Sequence, residues 1–147
     1  MQETSTLTTQ RIFPAVRYAD ARAGIAFLEN AFGFETQVLY ADDADESIVH
    51  HAQLVLLGQI VMLGSSRDLE RYPVRSPKEA GGMVTGGIYV ALDDAAAVDR
   101  LYERARDAGA EILAAPHDQD YGSHDFMARD PEGHVWSFGT YRPEAPR

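Results

Sequence analysis

The sequence predicts an α+β fold in which two βαβββ modules form a curved mixed sheet around a cavity. Three observations predict it. A β-like segment, a helix-capping aspartate and a helix-period segment that ends in glycine occur twice, at residues 17–33 and 91–109. Short β-like segments follow each copy, and residues 130–133 (Asp-Pro-Glu-Gly) form a strong hairpin turn. Because neither copy can bury its apolar face alone, the two should pack together.

The first module is predicted over residues 11–66, after a polar, aperiodic segment at 1–10 that we expect to be a flexible N-terminal arm. Residues 12–18 are β-like, Asp20 is a good helix N-cap, and Gly33 is suited to the helix end. One apolar residue per helical turn defines the buried stripe: Ala21, Ile25, Leu28 and Phe32. Strands are predicted at 36–40, 49–57 and 59–63.

Residues 67–85 break this pattern with prolines and paired glycines, which predicts a linker between the modules. Within it, Leu69 and Tyr72 are expected to cover part of the pocket. The second module is predicted over 86–142, with strands at 88–92, 112–115, 123–129 and 134–141. Asp94 should cap its helix, whose apolar face comprises Val98, Leu101, Tyr102, Ala105 and Ala108. Residues 143–147, with two prolines, form a C-terminal tail.

The composition excludes several classes of function. The chain has 147 residues, which is one domain's length, and no cysteine, so disulfides and thiolate sites are absent. A formal charge of −10 argues against nucleic-acid and anionic-membrane partners. It suits a cationic ligand, but a charge of this size also serves solubility alone and requires no partner. No apolar segment approaches the ~18 residues of a membrane span. The first residues lack the features of a secretory signal, which predicts a cytoplasmic protein.

Three segments of the chain resemble the vicinal oxygen chelate superfamily, also called the glyoxalase/bleomycin-resistance/dioxygenase fold. They are Asp20 with residues 25–28 and 31–34, the strand at 86–90, and residues 130–136 (Asp-Pro-Glu-Gly-His-Val-Trp). The resemblance covers about residues 11–142. It implies paired βαβββ modules around a cavity, usually in a homodimer. It also implies that metal-dependent members draw one His, Gln or Glu ligand from each of four strands.

The resemblance places those four ligand positions at Phe13, Met62, Gly87 and Ser137. None of these side chains is a good ligand for a divalent ion, which prefers imidazole or carboxylate here. We therefore expect neither a metal nor another cofactor. A noncanonical cluster of His51, His124 and Asp125 stays open as an alternative. Otherwise His51 is a hydrogen-bonded group of the pocket, and His117 and His134 are solvated loop residues.

Strand alternation then selects the side chains that should line the cavity. The candidate ligand-binding residues are Phe13, Arg17, His51, Gln53, Met62, Tyr89, Ser137 and Tyr141. The same alternation directs Trp136 and Phe138 toward the helices, into the core. The expected pocket is apolar and aromatic with a few polar groups, a composition that suits an organic ligand. No catalytic residue is assigned.

These features together predict a metal-free protein that binds and sequesters a small organic molecule, aromatic or cationic and antibiotic-like. Two alternatives stay open. One is a lyase, isomerase or dioxygenase of the same superfamily, with a noncanonical metal site or with His51 or Tyr89 as an acid/base group; fold alone selects none of these reactions. The other is a dimeric interaction module whose pocket is filled.

Overall fold

The computed structural model describes residues 8–67 and 72–144, and in this part of the chain the βαβββ order occurs twice, as predicted. The first module consists of β1 (Ala15–Tyr18), α1 (Ala21–Phe27), β2 (Glu35–Ala41), β3 (Val49–Leu56) and β4 (Gln59–Ser65). The second consists of β5 (Ile88–Ala91), α2 (Ala95–Asp107), β6 (Glu111–Asp118), β7 (His124–Arg129) and β8 (Val135–Gly139). The predicted α+β class is confirmed.

Each module forms its own four-stranded mixed sheet. The strand orders are β1-β4-β3-β2 and β5-β8-β7-β6, and in each sheet the first strand runs parallel to its neighbour. Within the described residues, the ladder hydrogen bonds stay inside each sheet and do not join β1 to β5. The two modules therefore meet through side chains and single hydrogen bonds, with a seam between the two sheets.

Both predicted helix caps are present. Asp20 Oδ1 accepts a hydrogen bond from Ala23 N at 3.1 Å, and Asp94 Oδ1 accepts one from Ala97 N at 2.8 Å. The first helix ends at Gly33, which has φ +83°, a left-handed conformation that glycine adopts without a Cβ penalty. Its last turn differs from the prediction, because α1 widens into a π-helical turn over Leu28–Phe32.

Two strand boundaries differ from the predicted ones. β1 covers only the second half of residues 12–18. β6 continues to Asp118 through Pro116, where the sequence predicted a loop. Proline is tolerated in β6 because this is an edge strand, in which a missing N–H need not break a ladder, and the pairing with β7 is irregular near this point.

The core lies between the helices and one face of each sheet. Its largest fully buried side chains come from both modules: Trp136, Tyr18, Phe32, Phe126 and Phe138. Phe32, at the end of the first helix, packs 4.8 Å from Phe138 and 5.6 Å from Trp136 (ring centroids). The predicted core role of Trp136 is confirmed. Because the first helix packs on the second sheet, the modules share one core.

The turn at residues 130–133 joins the two modules and the linker. Glu132 is buried, and its carboxylate accepts hydrogen bonds from Ala19 N (2.5 Å), Asp20 N (2.8 Å) and Ser76 Oγ (2.5 Å). Beyond Ser76 the linker forms a short 3-10 helix, Pro77–Ala80. Anchoring by Glu132 holds this part of the linker against the body of the protein.

Both ends of the chain lie partly outside the described residues. Gln10 belongs to the predicted flexible arm, yet its side chain bonds to both backbone groups of Ile60: it donates to the carbonyl oxygen at 3.0 Å and accepts from the nitrogen at 2.7 Å. Residue 10 is therefore anchored to β4. No helix in the described residues combines the length and the apolar character needed to cross a membrane.

Candidate functional site

Each sheet has an open face, defined here as the face that points away from the helices. On β3 and β4, the alternate residues Ala52, Leu54 and Leu63 are buried in the core. The residues between them therefore project to the open face. On the first sheet this face carries Arg17, His51, Gln53 and Met62, and on the second it carries Tyr89, Asp125, Met127 and Ser137.

Three polar side chains of the first sheet, His51, Gln53 and Gln37, form one hydrogen-bonded network. His51 Nε2 lies 2.9 Å from Gln53 Oε1, and Gln53 Nε2 donates to Gln37 Oε1 at 3.1 Å. The Tyr40 ring stacks on His51 with ring centroids 6.3 Å apart. His51 is thus a hydrogen-bonded, half-buried group beside an exposed aromatic ring, an arrangement that offers a polar contact and a stacking surface.

Arg17 crosses the first open face at Gly64. A Cβ on Gly64 would lie 2.5 Å from Arg17 Nη1, so the guanidinium occupies space that only glycine leaves free. The Tyr72 ring of the linker lies 5.9 Å from Arg17 Cζ, within the range of a cation–π contact. The linker therefore covers this end of the face, in line with the prediction for Tyr72. Leu69, the other predicted covering residue, lies outside the described residues.

Asp125 is the centre of a hydrogen-bonded cluster on the second open face. The Tyr89 hydroxyl donates to Asp125 Oδ1 at 3.1 Å, and Ser123 Oγ donates to the same oxygen through a short hydrogen bond. Tyr141 N donates to the Tyr89 hydroxyl oxygen at 2.9 Å. Burial is the main cause that raises the pKa of Tyr89, so its phenol stays protonated at neutral pH and serves as a hydrogen-bond donor.

Gly139 gives Asp125 its place on the sheet. The two residues face each other across β7 and β8, and a Cβ on Gly139 would lie 1.7 Å from Asp125 Oδ1 and 2.5 Å from the Tyr89 hydroxyl oxygen. Any other residue at position 139 would displace both groups. A glycine paired with an aspartate was the sequence signal for this cluster, but it could be recognised only once the register of the two strands was known.

Two further exposed tyrosines adjoin this cluster: Tyr141 bonds to Tyr89 through its backbone nitrogen, and Tyr121 contacts the Tyr141 ring. Tyr89 is 40% exposed, Tyr141 is 50% exposed and Tyr121, on the loop before β7, is 66% exposed. The Tyr121 and Tyr141 rings meet edge to face, 5.7 Å apart. Large exposed rings beside a buried carboxylate are a feature of ligand-binding surfaces rather than of a core. The sequence-based prediction included two of these rings and missed Tyr121, Ser123 and the position of Asp125.

The eight predicted site residues do not line one cavity; they are distributed over the two sheets. Arg17, His51, Gln53 and Met62 lie on the first open face, and Tyr89, Ser137 and Tyr141 lie on the second open face or directly beyond it. Phe13 precedes β1 and is half-buried. Whether these residues bind a ligand stays a prediction.

In the described part of the chain, two cavities are lined by residues of both modules. The larger has a volume of about 620 Å³ and is lined by residues of both modules, among them Phe34, Ile60, Tyr89 and Arg142. The smaller, of about 520 Å³, is lined by Pro14, Val16 and the linker residues Pro73 and Met83. Both volumes suit a small organic ligand. Tyr89 is the one predicted site residue that lines either of them.

The alternative cluster of His51, His124 and Asp125 is not formed. His124 and Asp125 are adjacent on β7 and point to opposite faces, as a strand requires. His124 lies on the helix side, where Nε2 is 2.7 Å from Asp99 Oδ1 and Nδ1 is 2.8 Å from Asp118 Oδ1. These hydrogen bonds, first to Asp99 and then to Asp118, raise the pKa of His124.

His134 is also placed differently from the prediction of a solvated loop residue. Its Nε2 lies 2.7 Å from the carbonyl oxygen of Arg17, and its ring packs 4.8 Å from that of Tyr18. The imidazole therefore joins the turn of the second module to β1. His117 is exposed, as predicted, although it lies on β6.

The sequence of this fold matches one protein family. Residues 11–138 match the family model described as the glyoxalase/bleomycin resistance protein/dioxygenase superfamily, and the chain belongs to this superfamily. The resemblance predicted from the sequence is confirmed. No curated protein matches the chain significantly.

Several solved structures share the fold. TioX from Micromonospora sp. ML1 is 26% identical, covers 93% of this chain and 100% of its own, and has a TM-score of 0.66. A family enzyme from Burkholderia phytofirmans PsJN is 21% identical over 86% of this chain and 94% of its own, with a TM-score of 0.63. The fosfomycin resistance protein FosX from Listeria monocytogenes, complexed with Mn(II) and sulfate, is 15% identical over 92% and 95% of the two chains, with a TM-score of 0.64.

The four positions at which the resemblance implies metal ligands do not fit a divalent cation. Phe13 and Gly87 have no donor atom in their side chains, Met62 offers a thioether, and Ser137 offers a neutral hydroxyl. In the described residues, no group of three His, Cys, Asp or Glu side chains is close enough to bind a metal ion. We therefore assign no chemical step to a metal, and the metal-free character of the protein stays a prediction.

Proposed function

We propose that this chain binds a small organic molecule and sequesters it without altering it. The proposal is supported by the residue types at the four positions where the resemblance implies metal ligands: Phe13, Met62, Gly87 and Ser137, in a chain that has the superfamily's fold. Loss of the donors removes the chemistry of the metal-dependent members and leaves a surface suited to binding. We expect sequestration to take place in the cytoplasm.

The open faces support this proposal by their chemistry. Exposed tyrosine rings offer stacking area, and the hydroxyl of Tyr89 and the amide of Gln53 offer hydrogen bonds that orient a ligand. Such groups hold an aromatic compound by burial and a few polar contacts. A ligand that extends along the seam would also enter the 620 Å³ cavity beside Tyr89.

The proposal includes a homodimer in which the open faces of two chains contribute to each binding site. Large exposed side chains on both faces, including Tyr40 (62%) and Met127 (38%), support this arrangement, because a partner surface would bury them. Light scattering on the purified protein should give about twice the chain mass of 16.2 kDa. A mass of one chain across the concentration range would contradict the dimer.

The test of sequestration is a binding experiment with chemical recovery. Aromatic and cationic antibiotics are titrated into the protein by calorimetry, once after chelator treatment and once with added Mn²⁺ or Zn²⁺. We expect saturable binding that is indifferent to metal, and a ligand that mass spectrometry recovers unchanged after release. Conversion of the ligand, or binding that requires a metal, would overturn the proposal.

A second candidate, an enzyme with an acid/base group, is favoured by one contact. The hydrogen bond from Tyr89 to Asp125 pairs a proton donor with a carboxylate at an accessible face, as general acid catalysis requires. Turnover that survives the chelator and is lost in Tyr89→Phe would favour this candidate. Loss in His51→Ala instead would assign the acid/base role to the first open face.

A further inference from the structure

Asp125 carries a buried carboxylate that has no cationic partner among the described residues. The residue is 7% exposed, and it forms no ion pair with any described residue. Both of its hydrogen bonds, from Ser123 and Tyr89, go to Oδ1. Oδ2 accepts no hydrogen bond from the described residues and still reaches solvent. A carboxylate buried in this way is stabilised by a positive charge placed against its free oxygen.

The surroundings of Asp125 favour an organic cation over an inorganic one. A metal ion would need several carboxylate or imidazole ligands, and in the described residues no group of three His, Cys, Asp or Glu side chains is close enough together to bind one. Tyrosine side chains are present instead: the Tyr89 hydroxyl contacts the carboxylate, Tyr141 bonds to that hydroxyl through its backbone nitrogen, and the Tyr121 ring contacts the Tyr141 ring. Aromatic faces attract ammonium and guanidinium groups, most strongly when the cation loses water. The formal charge of −10 adds a long-range attraction for a cation.

We propose that the second open face recognises an organic cation, with an ammonium or guanidinium group of the ligand seated against Asp125 Oδ2 among the rings of Tyr89, Tyr121 and Tyr141. Ser123 and Tyr89 hold the carboxylate in place, and Gly139 leaves room for it. This inference rests on the proposed function, and it names the chemical class of the ligand.

The test uses three probes that share a benzyl or phenyl group and differ in charge: benzyltrimethylammonium, benzyl alcohol and benzenesulfonate. Binding to the full chain is followed by NMR chemical shifts. We expect the ammonium probe to bind at least about tenfold more tightly than the neutral probe, and the sulfonate to bind least, because only the cation is attracted by both the carboxylate and the ring faces. Added salt should weaken the binding of the ammonium probe and of neither other probe.

Two pairs of variants assign the effect to named residues. Asp125→Asn keeps the size of the side chain and removes its charge, and we expect it to lower the affinity for the ammonium probe about tenfold. Glu103→Gln removes an equal charge from the exposed side of α2 and should change the affinity less than about twofold. Tyr141→Leu should weaken the probe several-fold, whereas Tyr141→Phe, which keeps the ring, should not. Circular dichroism confirms that each variant is folded.

The outcomes separate this inference from the proposed function. Equal affinity for the ammonium and neutral probes, or an unchanged affinity in Asp125→Asn, would overturn the cation site and leave the organic-ligand proposal standing. If Asp125→Asn does not fold, the two Tyr141 variants provide the test. Equal affinities of Tyr141→Leu and Tyr141→Phe for the ammonium probe would overturn the proposal. Absence of ammonium binding at millimolar concentration would also overturn it. Chemical conversion of a bound antibiotic would instead overturn sequestration.

Discussion

The Tyr18 hydroxyl donates a 2.5 Å hydrogen bond to Asp130 Oδ2 and thereby joins β1 of the first module to the turn of the second. Both side chains are buried, and Trp136 Nε1 donates to the same carboxylate oxygen at 3.1 Å. Burial raises the pKa of Tyr18 well above its usual range, and the nearby Asp130 carboxylate raises it further. The phenol is therefore held protonated as a donor between the modules.

Tyr18→Phe should lower the free energy of unfolding by about 1–3 kcal/mol, because Asp130 Oδ2 loses one of its two donors in a buried site. Urea denaturation followed by circular dichroism measures the change. The matched control is Tyr40→Phe, which removes the hydroxyl of an exposed ring and should stay within about 0.5 kcal/mol. Equal stability of Tyr18→Phe and wild type would show that this contact between the modules contributes little.

Glu132→Gln should destabilise the protein by about 2–3 kcal/mol, because the amide keeps one acceptor oxygen but places a donor against one of the two backbone nitrogens that need an acceptor. Hydrogen exchange at Ala19 and at the linker near Ser76 should also become faster, since Glu132 holds both. Glu103→Gln on the exposed side of α2 is the control. A loss of stability without faster exchange at these two places would contradict the anchoring role.

Gly139→Ala should displace Asp125 and weaken the ammonium probe, because the new methyl group would lie 1.7 Å from Asp125 Oδ1. Overpacking of this kind also costs about 1–3 kcal/mol of stability. Gly86→Ala is the matched control, since a Cβ there meets no atom within 4 Å. Undiminished probe binding by Gly139→Ala would mean that Asp125 can move without loss of the site.

The hydrogen bonds of His124 lead us to expect a specific pH dependence of the free energy of unfolding. Its hydrogen bonds to Asp99 and Asp118 raise its pKa from the ordinary 6.5, so the folded state binds the proton more tightly than the unfolded state. Protonated His124 therefore stabilises the folded state. This contribution to the free energy of unfolding is fully present below pH 6.5 and is lost as the pH rises through the raised pKa of His124. Because the site is partly exposed, solvent screening keeps the effect small.

The measurement for His124 is the free energy of unfolding at a series of pH values from mildly acidic to mildly alkaline. In His124→Gln the decline with rising pH should be shallower than in the wild type. His117→Gln, which removes an exposed histidine that contacts no carboxylate in the described residues, should leave the decline unchanged. Parallel curves for His124→Gln and wild type would refute the prediction.

Local patterns carried the prediction of the fold. Asp20 and Asp94 were recognised as caps because an N-cap is a local hydrogen bond within one helical turn, and both caps are present. Alternation along a strand correctly assigned Trp136 and Phe138 to the core and Tyr89 and Ser137 to the other face. The end of β6 and the anchoring of Gln10 were not predicted, because both depend on partners distant in sequence.

The sequence by itself determined the βαβββ repeat, its helix caps and the core side of each strand, because each follows from the order of residue types along the chain. Only the tertiary structure decided that Asp125, Ser123, Tyr89 and Gly139 form one cluster and that the predicted site residues lie on two sheets. Strand register and the contact between modules bring these groups together, and both arise from long-range packing that no local pattern encodes.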